Sequence, residues 1–276
     1  MSDDTNDKSD SFTEFKETKL VECDCTFESF GNVDKVVTES EDGYDIKCVR
    51  RSSLIIEGKN SERRLEKFYI SIDPYVSLIL NILEDEWIDH LIAVDGSRWV
   101  SSQTSKGLTD SHPVSPANSL YIQDTYTTTV SKTRKSLSVI FEHFEDEIIS
   151  KIERRVALVA GIDVSHLEKL VMVKYGPGDY FKQHHDGGFR SHTILLYLNG
   201  TFLPDIRSCL DTDGGETVFP RIGISIKPIA NSAVFWENLT SDGEMDHRLI
   251  HAGTTPKSGI KYVVNCFFNV EPVRLM

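Results

Sequence analysis

The sequence predicts an α+β protein whose C-terminal part is a β-sandwich or jelly roll. Three observations carry this. Two stretches between residues 73 and 161 repeat apolar residues at 3–4 spacing, the period of an amphipathic helix. From Leu170 onward, short apolar runs alternate with Gly, Pro and Asp, giving eight candidate strands at 170–175, 180–185, 192–198, 215–219, 223–228, 232–237, 246–251 and 261–269. Helical patterns come first and strands second, which fits α+β layering rather than alternating β-α units. No G-x-G-x-x-G follows a strand, so a dinucleotide site of that type is not supported.

The chain has 276 residues, enough for one large domain or two small ones. Its formal net charge of −13 argues against a nucleic-acid partner. Met1 to Asp10 is polar and acidic, so no signal peptide is expected there. No apolar run approaches the ~18 residues that span a bilayer, so no membrane partner is expected. Five cysteines (Cys23, Cys25, Cys48, Cys209 and Cys266) have no framework spacing. An odd set of free thiols points to a reducing, cytoplasmic setting. Cys23-x-Cys25 has no second pair to complete a metal site. The sequons at Asn199 and Asn238 carry no weight in a chain that is not secreted.

Three segments are expected: 1–60, acidic and partly disordered; 61–166, helical support; and 167–272, the catalytic unit. Residues 1 to about 20 are rich in Ser, Asp, Glu and Lys and are expected to be disordered. Residues 45–49 and 53–57 are strand-like. Phe68 to Ile72 reads as a strand. Asp73-Pro74 then reads as a cap and a first-turn proline. The helix it would open carries Val76, Ile79, Leu80, Leu83, Trp87, Ile88 and Leu91. Trp99 to Ser131 is loop-like, rich in Ser and Thr. A second helix is expected from about Ser136 to Ala160, with Leu137, Phe141, Phe144, Ile148, Ile152, Val156 and Val159 on one face. Gly161 would end it. Ser165-x-x-Glu168 reads as a capping box. Both helices are expected to pack against one sheet.

Chemistry concentrates in Tyr175 to Asp186, Tyr-Gly-Pro-Gly-Asp-Tyr-Phe-Lys-Gln-His-His-Asp. On an extended chain His184 and Asp186 share a face and His185 points away. A neutral imidazole beside a carboxylate supplies two ligands of a 2-His-1-carboxylate iron site; the alternative is a surface loop. The C-terminus offers the third ligand, His251. Ten residues on, Lys261 shares a strand face with Val263, Asn265 and Phe267. An inward lysine among such neighbours needs an anion, for which a dicarboxylate serves; the alternative is an edge lysine reaching to water. A zinc hydrolase fits the three ligands but leaves Lys261 without a purpose.

The order and spacing of these residues resemble the Fe(II)/2-oxoglutarate dioxygenases, and among them the prolyl 4-hydroxylases. Tyr175 stands nine before His184. His184-x-Asp186 is followed by Thr193 to Leu198, ending in Tyr-Leu. Gly214 to Pro220 reads Gly-Gly-Glu-Thr-Val-Phe-Pro, and Lys227 to Trp236 ends Ala-Val-Phe-Trp. His251 and Lys261 close the pattern. The resemblance covers residues 167–271 and extends faintly back to Phe68.

The resemblance implies a double-stranded β-helix (jelly roll) core flanked by the N-terminal helices. It implies Fe(II) held by His184, Asp186 and His251, with 2-oxoglutarate and O2 as cosubstrates and L-ascorbate as an accessory. Lys261 would pair with the distal carboxylate of 2-oxoglutarate, helped by Tyr175 and Thr217. Arg190 would contact substrate; a rim salt bridge is its other reading. Tyr121 to Thr129 would form a lid, or an ordinary surface connection. Tyr197 and Trp236 fit as structural or wall residues, and His185, His192 and His247 receive no catalytic role. The implied reaction is 4-hydroxylation of a proline in a protein or peptide, with 2-oxoglutarate decarboxylated to succinate and CO2. An oxygenase acting on another residue or a small molecule is the alternative, and a non-catalytic binding module the third reading. Three departures touch the substrate pocket: the short gap from Asp186 to Arg190, Tyr262 after the lysine, and Phe267 where a tryptophan is common.

Overall fold

The computed structural model describes residues 14–22, 34–35, 37–40, 43–57, 62–105, 128–129, 132–200 and 213–274. Ten strands form one antiparallel sheet. Their spatial order is Glu14–Glu22, Arg50–Glu57, Glu62–Ser71, Val76–Leu80, Ser232–Glu237, Arg190–Tyr197, Lys261–Asn269, Val171–Tyr175, Leu137–Ile140 and Val100–Ser101. A six-stranded sheet runs Arg134–Lys135, Tyr180–His184, His251–Gly253, Thr217–Phe219, Ile224–Ile226 and Asp34–Lys35. The two sheets meet over one apolar cluster, in which Val173, Tyr175, Leu195, Tyr197, Trp236 and Val263 of the large sheet join Phe219, Ile224 and Ile226 of the small one. The other face of the large sheet carries Leu54, Leu65, Ile79, Ile194, Leu196 and Val264. These pack with helices α1 (Asp85–Ile92) and α2 (Glu147–Ala160) through Trp87, Ile88, Leu91, Ile149, Ile152 and Val156. Helices, large sheet and small sheet thus make three layers, and the large sheet is buried on both faces.

This architecture corrects the helix-first expectation. Val76–Leu80 is a strand, not the start of a helix. Leu78 pairs with Phe68 on one side and Val234 on the other. A central strand buried on both faces has no polar alternation, so its run Val-Ser-Leu-Ile-Leu satisfies a helical period equally well. The helix is confined to α1. In the same way the expected helix from Ser136 begins as a strand, Leu137–Ile140, with Val139 opposite Met172. α2 starts only at Glu147. Asp146 caps it by accepting the Ile149 N–H at 2.8 Å, and Gly161, with φ +69°, ends it as expected. The segment read as helical support therefore contributes four strands to the large sheet, along with both helices.

Smaller corrections follow. Ser165 is not a cap; Asp163 accepts its N–H at 2.8 Å. Residues 246–251 are not one strand. His247–Leu249 is a 3-10 turn capped by Asp246, and the strand begins at His251. Residues 14–20, expected to be disordered, belong to the outermost strand, paired with Arg50–Glu57. Most of the lid candidate, residues 121–127, lies outside the described residues, as do Cys23, Cys25 and Cys209. Cys48 and Cys266 are buried. Among the described residues, no helix is long and apolar enough to cross a membrane.

Candidate active site

His184 ends the small-sheet strand Tyr180–His184, and His251 opens the strand beside it; the two are register partners. Asp186 follows two residues after His184, where the chain leaves the sheet. Antiparallel pairing thus sets the two histidines side by side, and strand alternation adds the carboxylate. His184 Nε2 lies 3.7 Å and His251 Nε2 3.8 Å from Asp186 Oδ1. One ligand atom from each residue falls within 4.8 Å of the others, close enough for a single metal ion.

Local hydrogen bonds prepare both imidazoles. His184 Nδ1 lies 2.9 Å from the Lys182 carbonyl oxygen, and His251 Nδ1 3.0 Å from that of Leu249. A carbonyl only accepts, so Nδ1 carries the proton in each ring and Nε2 keeps its lone pair. Burial, and then the neighbouring His251, pull the His184 pKa down to about 3, which keeps the ring neutral. Burial opposes ionisation of Asp186. His251, His184, Arg190 and the Thr193 hydroxyl outweigh it and hold the carboxyl below its usual range. Phe181 stacks on His184 with ring centroids 3.5 Å apart, and Trp236 meets His251 edge-on at 4.9 Å. Two imidazole nitrogens and one carboxylate oxygen, each held in orientation, form a donor set suited to a divalent iron.

The pocket in front of these donors has a volume of about 530 Å³, including space open to solvent. Tyr175, Thr217 and Lys261 line it, as do Leu195, Trp236, Val263, Asn265 and Phe267. The expected shared face of Lys261, Val263, Asn265 and Phe267 is therefore the pocket wall. Lys261 is 2 % exposed, and its Nζ donates to the Gly215 carbonyl at 2.6 Å. Among the described residues it has no carboxylate within ion-pair distance. Burial lowers its pKa to about 7, although Glu216 pulls the other way. Gly215 has φ +76°, and a Cβ there would meet Lys261 Cδ at 3.1 Å. The glycine pair thus serves the left-handed backbone and the lysine stem together. Thr217 Oγ1 accepts the Tyr197 hydroxyl at 2.6 Å, leaving the threonine's own proton to point elsewhere.

Arg190 is not open to a ligand in this arrangement. Nε and Nη2 donate to the two Glu168 oxygens at 2.8 and 2.7 Å, Nη1 donates to the Asp186 carbonyl at 3.1 Å, and the guanidinium stacks 3.7 Å from the Phe267 ring. The salt-bridge reading describes it, placed behind the carboxylate instead of at the rim.

Sequence reasoning missed Arg134, which lines the pocket near Phe181 and His184. It lies 4.6 Å over the Phe181 ring, its Nε reaches Ser136 Oγ at 3.1 Å, and its Nη2 is buried without a hydrogen-bond partner among the described residues. The expectation of a helix beginning near Ser136 hid it. Asn238 and Thr193 were also missed. Both are buried, and they connect to Asp186 by hydrogen bonds.

Comparison with known proteins agrees with this geometry. A sequence model of the 2OG-Fe(II) oxygenase superfamily matches residues 170–269. The chain is 34 % identical over 143 residues to prolyl 4-hydroxylase subunit alpha-2 of Gallus gallus, spanning 51 % of this chain and 27 % of that one. It is 31 % identical over 157 residues to prolyl 4-hydroxylase 1 of Arabidopsis thaliana, spanning 48 % of this chain and 52 % of the plant protein. The chain thus spans between a quarter and a half of these curated relatives. A solved structure of a viral collagen prolyl hydroxylase from Paramecium bursaria Chlorella virus-1 superposes with a TM-score of 0.48 at 24 % identity, over 70 % of this chain and 94 % of that one.

Proposed function

We propose that this chain hydroxylates a peptidyl proline at C4, from the premise that residues 170–269 match the 2OG-Fe(II) oxygenase superfamily and are similar in sequence to prolyl 4-hydroxylases. The observation that carries the reading is a pairing within one pocket. A 2-His-1-carboxylate donor set shares its pocket with a buried lysine that has no carboxylate partner among the described residues. Three donors without a nearby cation would suit many metal hydrolases. The lysine asks for an anionic cosubstrate as well. The two facing sheets, with the donors on adjacent strands of the smaller, fit a double-stranded β-helix.

In this reading His184, Asp186 and His251 hold Fe(II). Fe(II) held there, with 2-oxoglutarate and O2 as cosubstrates and L-ascorbate as reductant, would supply C–H hydroxylation coupled to decarboxylation of 2-oxoglutarate to succinate and CO2. Lys261 binds the distal carboxylate of 2-oxoglutarate as an ammonium ion. Thr217 offers its hydroxyl proton and Tyr175 its phenol to the same group. Leu195, Trp236, Val263 and Phe267 keep water from the reacting atoms. Arg134, whose Nη2 has no hydrogen-bond partner among the described residues, orients a carbonyl of an incoming peptide. A proline-rich chain is already near polyproline II, so binding it extended costs little ordering entropy. The acidic composition favours peptides with basic flanks and argues against nucleic acid. The buried Cys266, which forms no disulfide, fits a reducing, cytoplasmic setting.

The test uses a panel of proline-rich peptides with Fe(II), ascorbate and 2-oxoglutarate, read by mass spectrometry and amino-acid analysis. The expected product is 4-hydroxyproline, formed with succinate. Brisk 2-oxoglutarate turnover on a non-proline substrate, with none on any proline peptide, would promote the alternative oxygenase reading.

A further inference from the structure

Behind the donor set runs a chain of buried hydrogen bonds that begins at a tryptophan and ends on the carboxylate. Trp236 Nε1 donates to Asn238 Oδ1 at 2.9 Å, Asn238 Nδ2 donates to Thr193 Oγ1 at 2.9 Å, and Thr193 Oγ1 donates to Asp186 Oδ2 at 2.7 Å. All three supporting residues are at most 1 % exposed. We propose that Asn238 and Thr193 are positioning residues which fix the rotation of Asp186, so that Oδ1 alone faces the metal.

The direction of the chain follows from the chemistry of its members. An indole N–H only donates, so the oxygen of the Asn238 amide must face Trp236. That leaves its NH2 toward Thr193. Thr193 Oγ1 accepts there and has one proton left, which goes to the carboxylate, a group that only accepts when ionised. Each link therefore admits one orientation. The far end holds Oδ2, and the oxygen left over, Oδ1, is the one found 3.7 and 3.8 Å from the two imidazole nitrogens.

The strands supply the spacing. Thr193 and Trp236 are register partners on adjacent strands of the large sheet. The chain continues two residues past Trp236, and the Asn238 N–H is held by the Ser191 carbonyl at 2.8 Å. The Asn238 side chain thereby lies beside Thr193, on the face toward the small sheet. Arg190 Nη1 holds the Asp186 backbone carbonyl at 3.1 Å, so backbone and side chain are fixed from different directions. Asn238 also heads a glycosylation-type sequon, but its buried amide is used at both ends.

This inference rests on His184, Asp186 and His251 being the metal ligands, and the test separates the two. Co(II) binding to the full chain is measured by calorimetry, with near-UV circular dichroism as the control for folding. Thr193→Val keeps the shape and removes the hydroxyl. It is expected to weaken Co(II) binding by roughly 10- to 100-fold, the usual effect of losing a group that orients a metal ligand. Thr193→Ser keeps the hydroxyl and restores most of the affinity. Asn238→Asp, which cannot donate to Thr193, weakens binding as Thr193→Val does. The visible spectrum of the Co(II) form should also change in Thr193→Val, because a freed carboxylate turns toward the ion. A folded Thr193→Val or Asn238→Asp with wild-type affinity overturns the proposal, and so does a Thr193→Ser as weak as the valine variant. Should Thr193→Val not fold, Asn238→Asp decides: a folded Asn238→Asp with wild-type affinity overturns the proposal. Wild-type Co(II) affinity in His184→Ala would instead remove the triad assignment itself.

Discussion

Lys261 Nζ and the Gly215 carbonyl oxygen are 2.6 Å apart, in the pocket that the three metal-type donors also line. A backbone carbonyl satisfies one of the ammonium's three protons and none of its charge. The lysine is therefore stored in a form that an incoming carboxylate improves.

Replacing Lys261 with Ala should raise the KM for 2-oxoglutarate by roughly 30- to several-thousand-fold, since truncating one partner of a buried charge pair costs on the order of 2–5 kcal/mol. Arg should rescue only in part, because its planar fork meets oxygens differently. The wild-type pH dependence follows from the same site. With a pKa lowered to about 7 by burial, Lys261 is charged below that pH and neutral above it. The 2-oxoglutarate KM should be flat in mild acid and rise as pH climbs past 7. The folded state holds this proton less tightly than the unfolded chain, so the site's contribution to stability grows with pH between about 7 and the ordinary lysine value. A KM unchanged in the alanine variant would put the anion elsewhere.

Single alanine substitutions at His184, Asp186 and His251 should each abolish succinate formation and weaken iron binding. Asp186→Ala is the mildest, since an added anion can fill the vacated position. Anaerobic Fe(II) titration with a succinate assay checks this, and full turnover in any one variant would remove that residue from the triad.

Arg134→Ala should raise the KM for peptide and leave the KM for 2-oxoglutarate nearly unchanged. A hydrogen bond from a charged donor contributes about 1.5–3 kcal/mol, or roughly 10- to 150-fold. A matching rise in both KM values would place Arg134 on the cosubstrate instead.

Glu168→Gln should destabilise the fold by about 3–5 kcal/mol, as breaking one side of a buried pair leaves a charge uncompensated. Glu168 accepts from Arg190 at both oxygens, and Oε1 also accepts from Asn269 Nδ2 at 2.6 Å. Arg190→Lys, in the native background, should also destabilise the fold, because the two-pronged geometry is lost. Urea unfolding of the metal-free protein reads both effects, and a shift under 1 kcal/mol would assign the pair to the weak surface class.

The candidate site was more legible than the fold around it. His184, Asp186, His251 and Lys261 are rare types for a buried apolar setting, and their spacing matches a strand period, so each announces itself in one dimension. Arg134 gave no such signal. It is an ordinary basic residue in a segment that read as the approach to a helix, and it reaches the pocket because Arg134–Lys135 pairs with Tyr180–His184 at the sheet edge. Arg190 was visible but its task was not, because Glu168 lies 22 residues away.

What the sequence determined by itself was the chemistry on offer: two imidazoles, a carboxylate and a lysine, with turns that place the first pair on one face. Local rules reach that far, because strand alternation and turn preference act over a few residues. Tertiary structure decided which apolar runs became strands and which became helix. Val76–Leu80 and Leu137–Ile140 took the sheet because each found neighbouring strands to satisfy its backbone and two buried faces to fill. It also decided which oxygen of Asp186 faces its partners. That choice depends on Thr193 and Asn238, which the chain brings together only when two strands pair, and no property of either residue alone reveals it.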